Sequence, residues 1–161
     1  MRCAWKELLG ILPPAMRQEA DRLGRDSLQE LRVRAGERVE LVLSGRSRFL
    51  ERVASEEDVQ FTVNAASRYS PWSAATAASG YITAPGGHRI GICGECTAAD
   101  GRVTGICRAR SLCIRVAREF PGIGDKAPTG GSLLILGPPG SGKTTLLREL
   151  IRVRSGLGAG S

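Results

Sequence analysis

The stretch of residues 137–145, GPPGSGKTT, constrains the fold of this chain more than any other part of the sequence. It follows a run of apolar residues, 133–136, which predicts a strand buried on both faces, and it precedes apolar residues at helical spacing. Glycines allow the backbone to curl with its N–H groups pointing inward, and a helix that begins there adds free amides and a positive dipole end. The sequence therefore predicts a strand, a loop and a helix that form a cradle for phosphate groups.

The pattern G-x-x-x-x-G-K-T gives the residues of this loop definite chemical roles. Gly137 and Gly142 permit the curl, and the Lys143 ammonium would reach the β- and γ-phosphates. The Thr144 hydroxyl would enter the coordination shell of Mg²⁺, so Thr144 is the predicted metal ligand. A chance glycine-rich turn is the alternative, and the agreement of strand, loop and helix disfavours it. We expect ATP to be bound through Gly137, Pro138, Pro139, Gly140, Ser141, Gly142, Lys143, Thr144 and Thr145.

The position of the loop in a chain of 161 residues predicts two domains. A nucleotide-binding α/β domain needs several strand–helix units of about 30 residues each. The sequence after residue 132 provides one such unit. We therefore expect a complete N-terminal α/β domain over residues 1–125 and an incomplete P-loop NTPase domain over residues 126–161.

Hydrolysis normally requires a further acidic residue that holds Mg²⁺ or orients water. The only acidic residue after Lys143 is Glu149, which lies about one and a half turns along the predicted helix and should point away from the phosphates. No catalytic residue is predicted for this reason. Whether the chain is an enzyme stays open at this point.

The residues before the loop predict an α+β domain built from antiparallel hairpins and helices. Helical segments are expected up to about Leu23, with a break at Pro13 and Pro14, and over residues 56–67, where Ser55 and Asp58 form a capping signal. Alternating apolar and polar residues predict strands on either side of the second helix. Their turns are expected at Ala35-Gly36, Ser44-Gly45, Pro85-Gly86-Gly87 and Asp100-Gly101. A Gly/Pro-rich linker over residues 120–131 follows.

The amino-acid composition of the chain restricts the partners and the cellular compartment that can be expected. The net charge of +7 admits a polyanionic partner, but the arginines are scattered, so nucleic acid is left open without being favoured. Five cysteines without a secretory signal indicate a reducing cytoplasm. We expect Cys93, Cys96, Cys107 and Cys113 to be buried apolar residues rather than a zinc site. His88, the only histidine, is expected to be a surface or hairpin residue rather than a catalyst. No apolar run reaches the length of a membrane span, so the chain is expected to be soluble or peripheral.

Three arginines, Arg89, Arg108 and Arg115, lie on predicted strands among apolar neighbours. A guanidinium in such a place is costly unless it meets an anion. Two interpretations stay open: the arginines face an anionic ligand, or they pair with Glu95 or Glu119 or reach solvent.

Several stretches together resemble a known family. They are LQELRVRAGERVEL, SRYSPWS, GYITAPGGHRIGICGE, SLCIRVARE and LLILGPPGSGKTTLLRELIR, which resemble, in that order, the stage III sporulation protein AA family of endospore-forming bacteria. The resemblance runs from about Leu28 to Arg152, and the combination of GGHRIG with GPPGSGKTTLLR is specific. That family is similar to the secretion ATPases of type II and type IV systems and to pilus motors.

The resemblance implies an N-terminal α/β domain joined to a RecA-like ATPase domain in a homo-oligomeric ring. It places Lys143 and Thr144 on nucleotide-binding positions and makes Arg89 and Arg115 candidates for phosphate contacts, although the sequence departs from the family pattern at Cys113. It also implies a cytoplasmic location, peripheral to the membrane on the mother-cell side of the forespore. The partners there would be channel or membrane proteins of sporulation, which the ATPase would energise.

Family members are about twice as long as this chain, so the resemblance implies a chain truncated shortly after the loop. Two other functions stay open: a nucleic-acid-dependent P-loop ATPase, and an interaction module that does not hydrolyse nucleotide. A small nucleotide kinase is the least favoured, because no lid or acceptor-site sequence follows the loop.

Overall fold

A computed structural model of the chain describes residues 3–67, 79–125, 127–128 and 131–158. The chain divides into two compact units, one of Cys3–Ala117 and one that contains Arg118–Ser161. The domain limits expected from the sequence, residues 1–125 and 126–161, stay a prediction.

The strands of the described chain are β1 (Leu28–Arg34), β2 (Arg38–Leu43), β3 (Arg46–Val53), β4 (Tyr81–Thr83), β5 (Arg89–Ala99) and β6 (Arg102–Arg115). They form one six-stranded antiparallel sheet in the Cys3–Ala117 unit, with the strand order β3-β2-β1-β6-β5-β4. The strands β1 to β3 form one meander and β4 to β6 another, and the pairing of β1 with β6 joins the two.

The helices of this unit are α1 (Trp5–Ile11), α2 (Pro14–Leu23) and α3 (Glu56–Ser67), with a 3₁₀ turn at Pro85–Gly87. Pro14 occupies the first turn of α2, where a missing N–H costs nothing, so the predicted break at the proline pair is confirmed. The predicted capping of α3 is also confirmed. The Ser55 N–H donates to Asp58 Oδ2 over 3.0 Å, and the Asp58 N–H donates to Ser55 Oγ over 3.2 Å.

The core lies on one face of the sheet, where strand residues alternate between buried and exposed. One row of paired residues crosses five strands and is buried throughout; it consists of Leu41, Leu31, Ile114, Ile90 and Ile82. Side chains from the helices complete the core, among them Leu8, Leu12, Met16 and Val59. Each such side chain stabilises the fold by about 1.5–3 kcal/mol relative to an exposed one.

The four predicted hairpin turns are confirmed. Gly36 and Gly45 have φ of 84° and 77°, a conformation that favours glycine, at the ends of β1 and β2. Between β5 and β6, Asp100 and Gly101 have φ of 52° and 73°, as a two-residue hairpin turn requires. The fourth turn is the 3₁₀ turn at Pro85–Gly87 between β4 and β5.

The predictions for the histidine and for the cysteines had different outcomes. His88 lies in the β4–β5 hairpin, as one of its two predicted positions has it, but it is fully buried rather than at the surface. Its Nε2–H donates to the Ala4 carbonyl over 2.8 Å, and its Nδ1 accepts the Ala117 N–H over 3.0 Å. The cysteines are not buried, since Cys93, Cys96 and Cys107 are exposed on β5 and β6. Residue type alone does not determine burial; the position of each residue on the sheet does.

None of the helices in the described part of the chain combines the length and apolar character that a membrane crossing requires.

Candidate functional site

The loop predicted to hold phosphates lies directly before a helix, α4 (Lys143–Gly158). The Ser141 N–H donates to the Pro138 carbonyl over 3.2 Å, which closes a turn inside the loop. Gly140 and Gly142 have φ of 77° and 85°, which residues with a Cβ rarely adopt. The Leu146 N–H donates to the Gly142 carbonyl over 2.9 Å as the first helical bond, so the predicted transition from loop to helix is confirmed.

Gly137 packs closely against the side chain of Ser141 within the loop. A Cβ at position 137 would lie 2.6 Å from Ser141 Oγ and 3.4 Å from Ser141 Cβ. A side chain at this position would therefore require the Ser141 hydroxyl to rotate away, whereas glycine fits without a shift.

Lys143 folds its side chain back over the loop. Its Nζ donates to the Gly137 carbonyl over 2.8 Å and to the Pro138 carbonyl over 2.7 Å. The only fixed positive charge of the loop therefore lies above its first two residues. Thr144 is exposed at the first turn of α4, and Thr145 is half-buried beside it.

The strand expected at residues 133–136 does not form, and this prediction was wrong. The segment has no regular secondary structure and no ladder hydrogen bonds, and Leu134 and Leu136 are 78% and 81% exposed. A strand exists only when a neighbouring strand supplies its hydrogen-bond partners, and none of the six described strands pairs with these residues. An apolar run indicates which residues avoid water, but it does not supply a partner.

Arg89 and Arg115 are brought together by the sheet. They are paired residues on the neighbouring strands β5 and β6. Arg115 Nε lies 3.2 Å from Glu30 Oε2, although its side chain remains 75% exposed. Among the residues that the structure describes, Arg89 forms no ion pair. Arg108 bridges to Glu95 over 3.6 Å, one of its two predicted partners, and also pairs with Glu56.

Sequence reasoning missed Glu30 as the partner of Arg115. Burial raises the pKa of Glu30, but hydrogen bonds from Arg32, Arg115 and Cys113 outweigh it, so the net shift of the pKa is downward. Glu30 and Arg115 are paired across β1 and β6. The signal for this contact is the strand register, which the sequence alone did not provide.

Glu149, the only acidic residue after Lys143, is buried, and both of its carboxylate oxygens accept hydrogen bonds. Its Oε1 accepts the Gly122 N–H over 2.8 Å, and Arg152 donates to its two oxygens over 2.8 and 2.6 Å. These hydrogen bonds, first from Arg152 and then from Gly122, lower the pKa of Glu149 to about 2. Within residues 3–67, 79–125, 127–128 and 131–158, no group of three or more His, Cys, Asp or Glu side chains converges as a metal centre would require.

These features define a chain that combines a helix-covered antiparallel sheet with a glycine-rich G-x-x-x-x-G-K-T loop at the start of a helix. The chain belongs to the sporulation stage III, protein AA family, whose family model matches residues 5–159. This match confirms the resemblance found in the sequence.

The relatives found are of two kinds. The chain is 32% identical over 159 residues to the stage III sporulation protein AA of Bacillus subtilis (strain 168), in an alignment that covers 92% of this chain and 52% of the relative. The chain thus spans about half the length of this curated relative. Among solved structures, the X-ray structure of the Legionella pneumophila ATPase DotB is 22% identical, covers 88% of this chain and 42% of its own, and has a TM-score of 0.47.

Proposed function

We propose that this chain binds the triphosphate of ATP, with Mg²⁺, through the loop of residues 137–145. The observation that carries the proposal is the geometry of the loop: glycines in the left-handed region, a packed glycine at its start, and a helix that begins at its lysine. Backbone amides and a positive helix end favour a phosphate group at such a position.

Lys143 has the chemistry that this proposal requires. Its ammonium is held by two backbone carbonyls, which are neutral acceptors. A phosphate oxygen carries negative charge and accepts a stronger hydrogen bond, so the lysine gains when it exchanges these carbonyls for phosphate. The exposed Thr144 hydroxyl is the group that would ligate Mg²⁺, and the metal would supply charge neutralisation between the phosphates.

Arg89 and Arg115 are proposed as additional phosphate contacts. Two guanidinium groups on directly paired residues repel each other, and an anion between them would relieve this repulsion. Arg115 is partly neutralised by Glu30, so Arg89 is the stronger candidate.

The family suggests a domain organisation and a cellular role for the whole protein. We propose that this chain comprises an N-terminal α/β domain (residues 1–125) and the first unit of a RecA-like domain (residues 126–161). The whole protein would act as a homo-oligomeric ring ATPase on the mother-cell side of the forespore, peripheral to the membrane. There it would energise a channel between the two cells. Membership in the sporulation stage III family supports this setting.

Calorimetric titration with a non-hydrolysable ATP analogue and Mg²⁺ tests the binding proposal. We expect a dissociation constant of about 1 mM, which corresponds to about 4 kcal/mol of binding free energy, because the ligand must order the loop on binding. Lys143→Ala should weaken binding about tenfold or more, whereas Lys6→Ala, at an exposed position on α1, should not. Arg89→Ala should weaken binding more than Arg46→Ala, which removes an exposed arginine from β3.

One result would contradict the proposal directly. Micromolar binding that Lys143→Ala leaves unchanged would locate the nucleotide elsewhere on the chain. An equal effect of Arg89→Ala and Arg46→Ala would remove Arg89 from the site while leaving the loop in place.

A further inference from the structure

Part of the predicted linker is a folded turn that packs against α4. Residues 121–125 form turns in which the Asp125 N–H donates to the Gly122 carbonyl over 3.2 Å. The Ala127 N–H continues the series with a bond of 3.0 Å to the Gly124 carbonyl. The sequence predicted only a Gly/Pro-rich linker here, so the packing of this segment needs a physical cause.

The cause lies in contacts with α4. Glu149 accepts the Gly122 N–H, and Arg154 Nη2 donates to the Pro128 carbonyl over 3.3 Å. Gly124 is buried. A Cβ at Gly124 would lie 3.3 Å from both Glu149 Cγ and Leu150 Cδ2, so the backbone of the turn touches the helix directly. Two hydrogen bonds and a tight packing contact thus hold residues 121–125 and 127–128 on the helix.

Glu149 is the centre of these contacts because it is held from two sides. Arg152, one turn further along α4, binds both carboxylate oxygens, and this fork fixes the orientation of the side chain. The oriented Oε1 is then available to the Gly122 N–H. Glu149 is 7% exposed, and removal of its carboxylate would take the hydrogen-bond acceptor from both the Gly122 N–H and the Arg152 guanidinium.

We propose that Glu149 is a positioning residue: it fastens residues 121–125 to α4 and thereby fixes the helix that presents Lys143 and the phosphate loop. The inference rests on the proposed function of the loop. Glu149 lies about 9 Å further along the helix axis than Lys143. A helix is stiff over this distance, so a helix anchored at Glu149 presents its first turn in a defined orientation, as a supporting residue does for a binding site.

Hydrogen exchange of the full chain tests the fastening without any ligand. Glu149→Ala should accelerate exchange of the Gly122 amide about tenfold and also accelerate exchange of the Leu146 amide, which forms the first helical bond of α4. Glu149→Gln keeps an oxygen acceptor but loses the charge, so its effect should be smaller. Arg148→Ala and Arg148→Gln are the matched controls, since Arg148 is exposed on the same helix. Far-ultraviolet circular dichroism verifies that each variant is folded.

The same variants are then titrated with the non-hydrolysable ATP analogue and Mg²⁺. We expect Glu149→Ala to raise the dissociation constant about fivefold relative to Arg148→Ala. Equal exchange of the Gly122 amide in both variants would overturn the fastening. Faster exchange at Gly122 with unchanged exchange at Leu146 would overturn the positioning role. If the wild-type chain binds no nucleotide while both amides respond, the proposed function fails and the positioning of the helix stands.

Discussion

Replacement of His88 by leucine should destabilise the sheet unit and abolish one part of its pH dependence. The imidazole joins three separate segments: the residue before α1, the turn before β5 and the last residue of the unit. Leucine keeps the apolar volume but removes the hydrogen-bond partner of the Ala117 N–H and leaves the Ala4 carbonyl with only its hydrogen bond from the Leu8 N–H. Both groups are half-buried, so we expect each lost hydrogen bond to cost about 1 kcal/mol, or about 2 kcal/mol in total at neutral pH.

The pH dependence follows from the two hydrogen bonds of the ring. Nδ1 accepts a hydrogen bond, so protonation of this nitrogen would set two donors against each other. Burial lowers the pKa of His88 below its ordinary value of 6.5, although the Ala4 carbonyl and the charge of Glu7 oppose this shift. A lowered pKa means that the stabilisation is complete above the ordinary value and is lost as the pH falls below it. The loss at pH about 5.5 is therefore at most about 1.4 kcal/mol.

Urea unfolding at several pH values between about 7.5 and 5.5 measures both effects. The free energy of unfolding of the wild type should fall over this range, while that of His88→Leu should stay flat, because His88 is the only histidine. If the free energies of unfolding of the two proteins depend on pH in the same way, the assignment of a neutral imidazole that makes two hydrogen bonds is refuted. Equal stability at pH about 7.5 would refute the energetic role of its hydrogen bonds.

Two further predictions concern the cap of α3 and the loop. Burial raises the pKa of Asp58, but hydrogen bonds from Arg52 and from the Ser55 N–H outweigh it and lower the pKa overall. Asp58→Asn should therefore lower the free energy of unfolding in urea by about 1–2 kcal/mol at neutral pH, and the free energies of wild type and variant should converge as the pH falls through the pKa of Asp58. The control is Asp26→Asn, which changes an exposed aspartate. A difference between wild type and Asp58→Asn that persists at low pH would contradict this prediction. The chain should release no more phosphate from ATP than a Lys143→Ala control, because Glu149, the only acidic residue after Lys143, already accepts hydrogen bonds from Gly122 and Arg152. Phosphate release that depends on Lys143 would disprove this prediction.

The sequence predicted those features whose causes are local. The turns at Gly36 and Gly45 follow from a backbone conformation that glycine favours, and α3 begins where a capping pair occurs three residues apart. The phosphate loop and the start of α4 are local in the same sense, because motif, glycine conformations and helix all lie within a few residues.

Features that depend on residues far apart in the chain were missed. The pairing of β1 with β6 decides that Arg115 meets Glu30, and no local pattern encodes that register. The burial of His88 depends on Ala4, which is distant in sequence. The glycines and prolines of residues 120–131 predicted a linker, and no local pattern showed that Gly124 lets the backbone pack on α4.

The strand order of the sheet also has a kinetic consequence. Four of its five strand pairings join consecutive strands, so each three-stranded meander can form from contacts close in sequence. The fifth pairing, between β1 and β6, brings together residues as far apart as Glu30 and Arg115, which are separated by 85 positions. Closing a loop of this length costs conformational entropy, and the buried row of leucines and isoleucines is complete only after the loop has closed. We therefore expect the union of the two meanders to limit the folding rate of this unit.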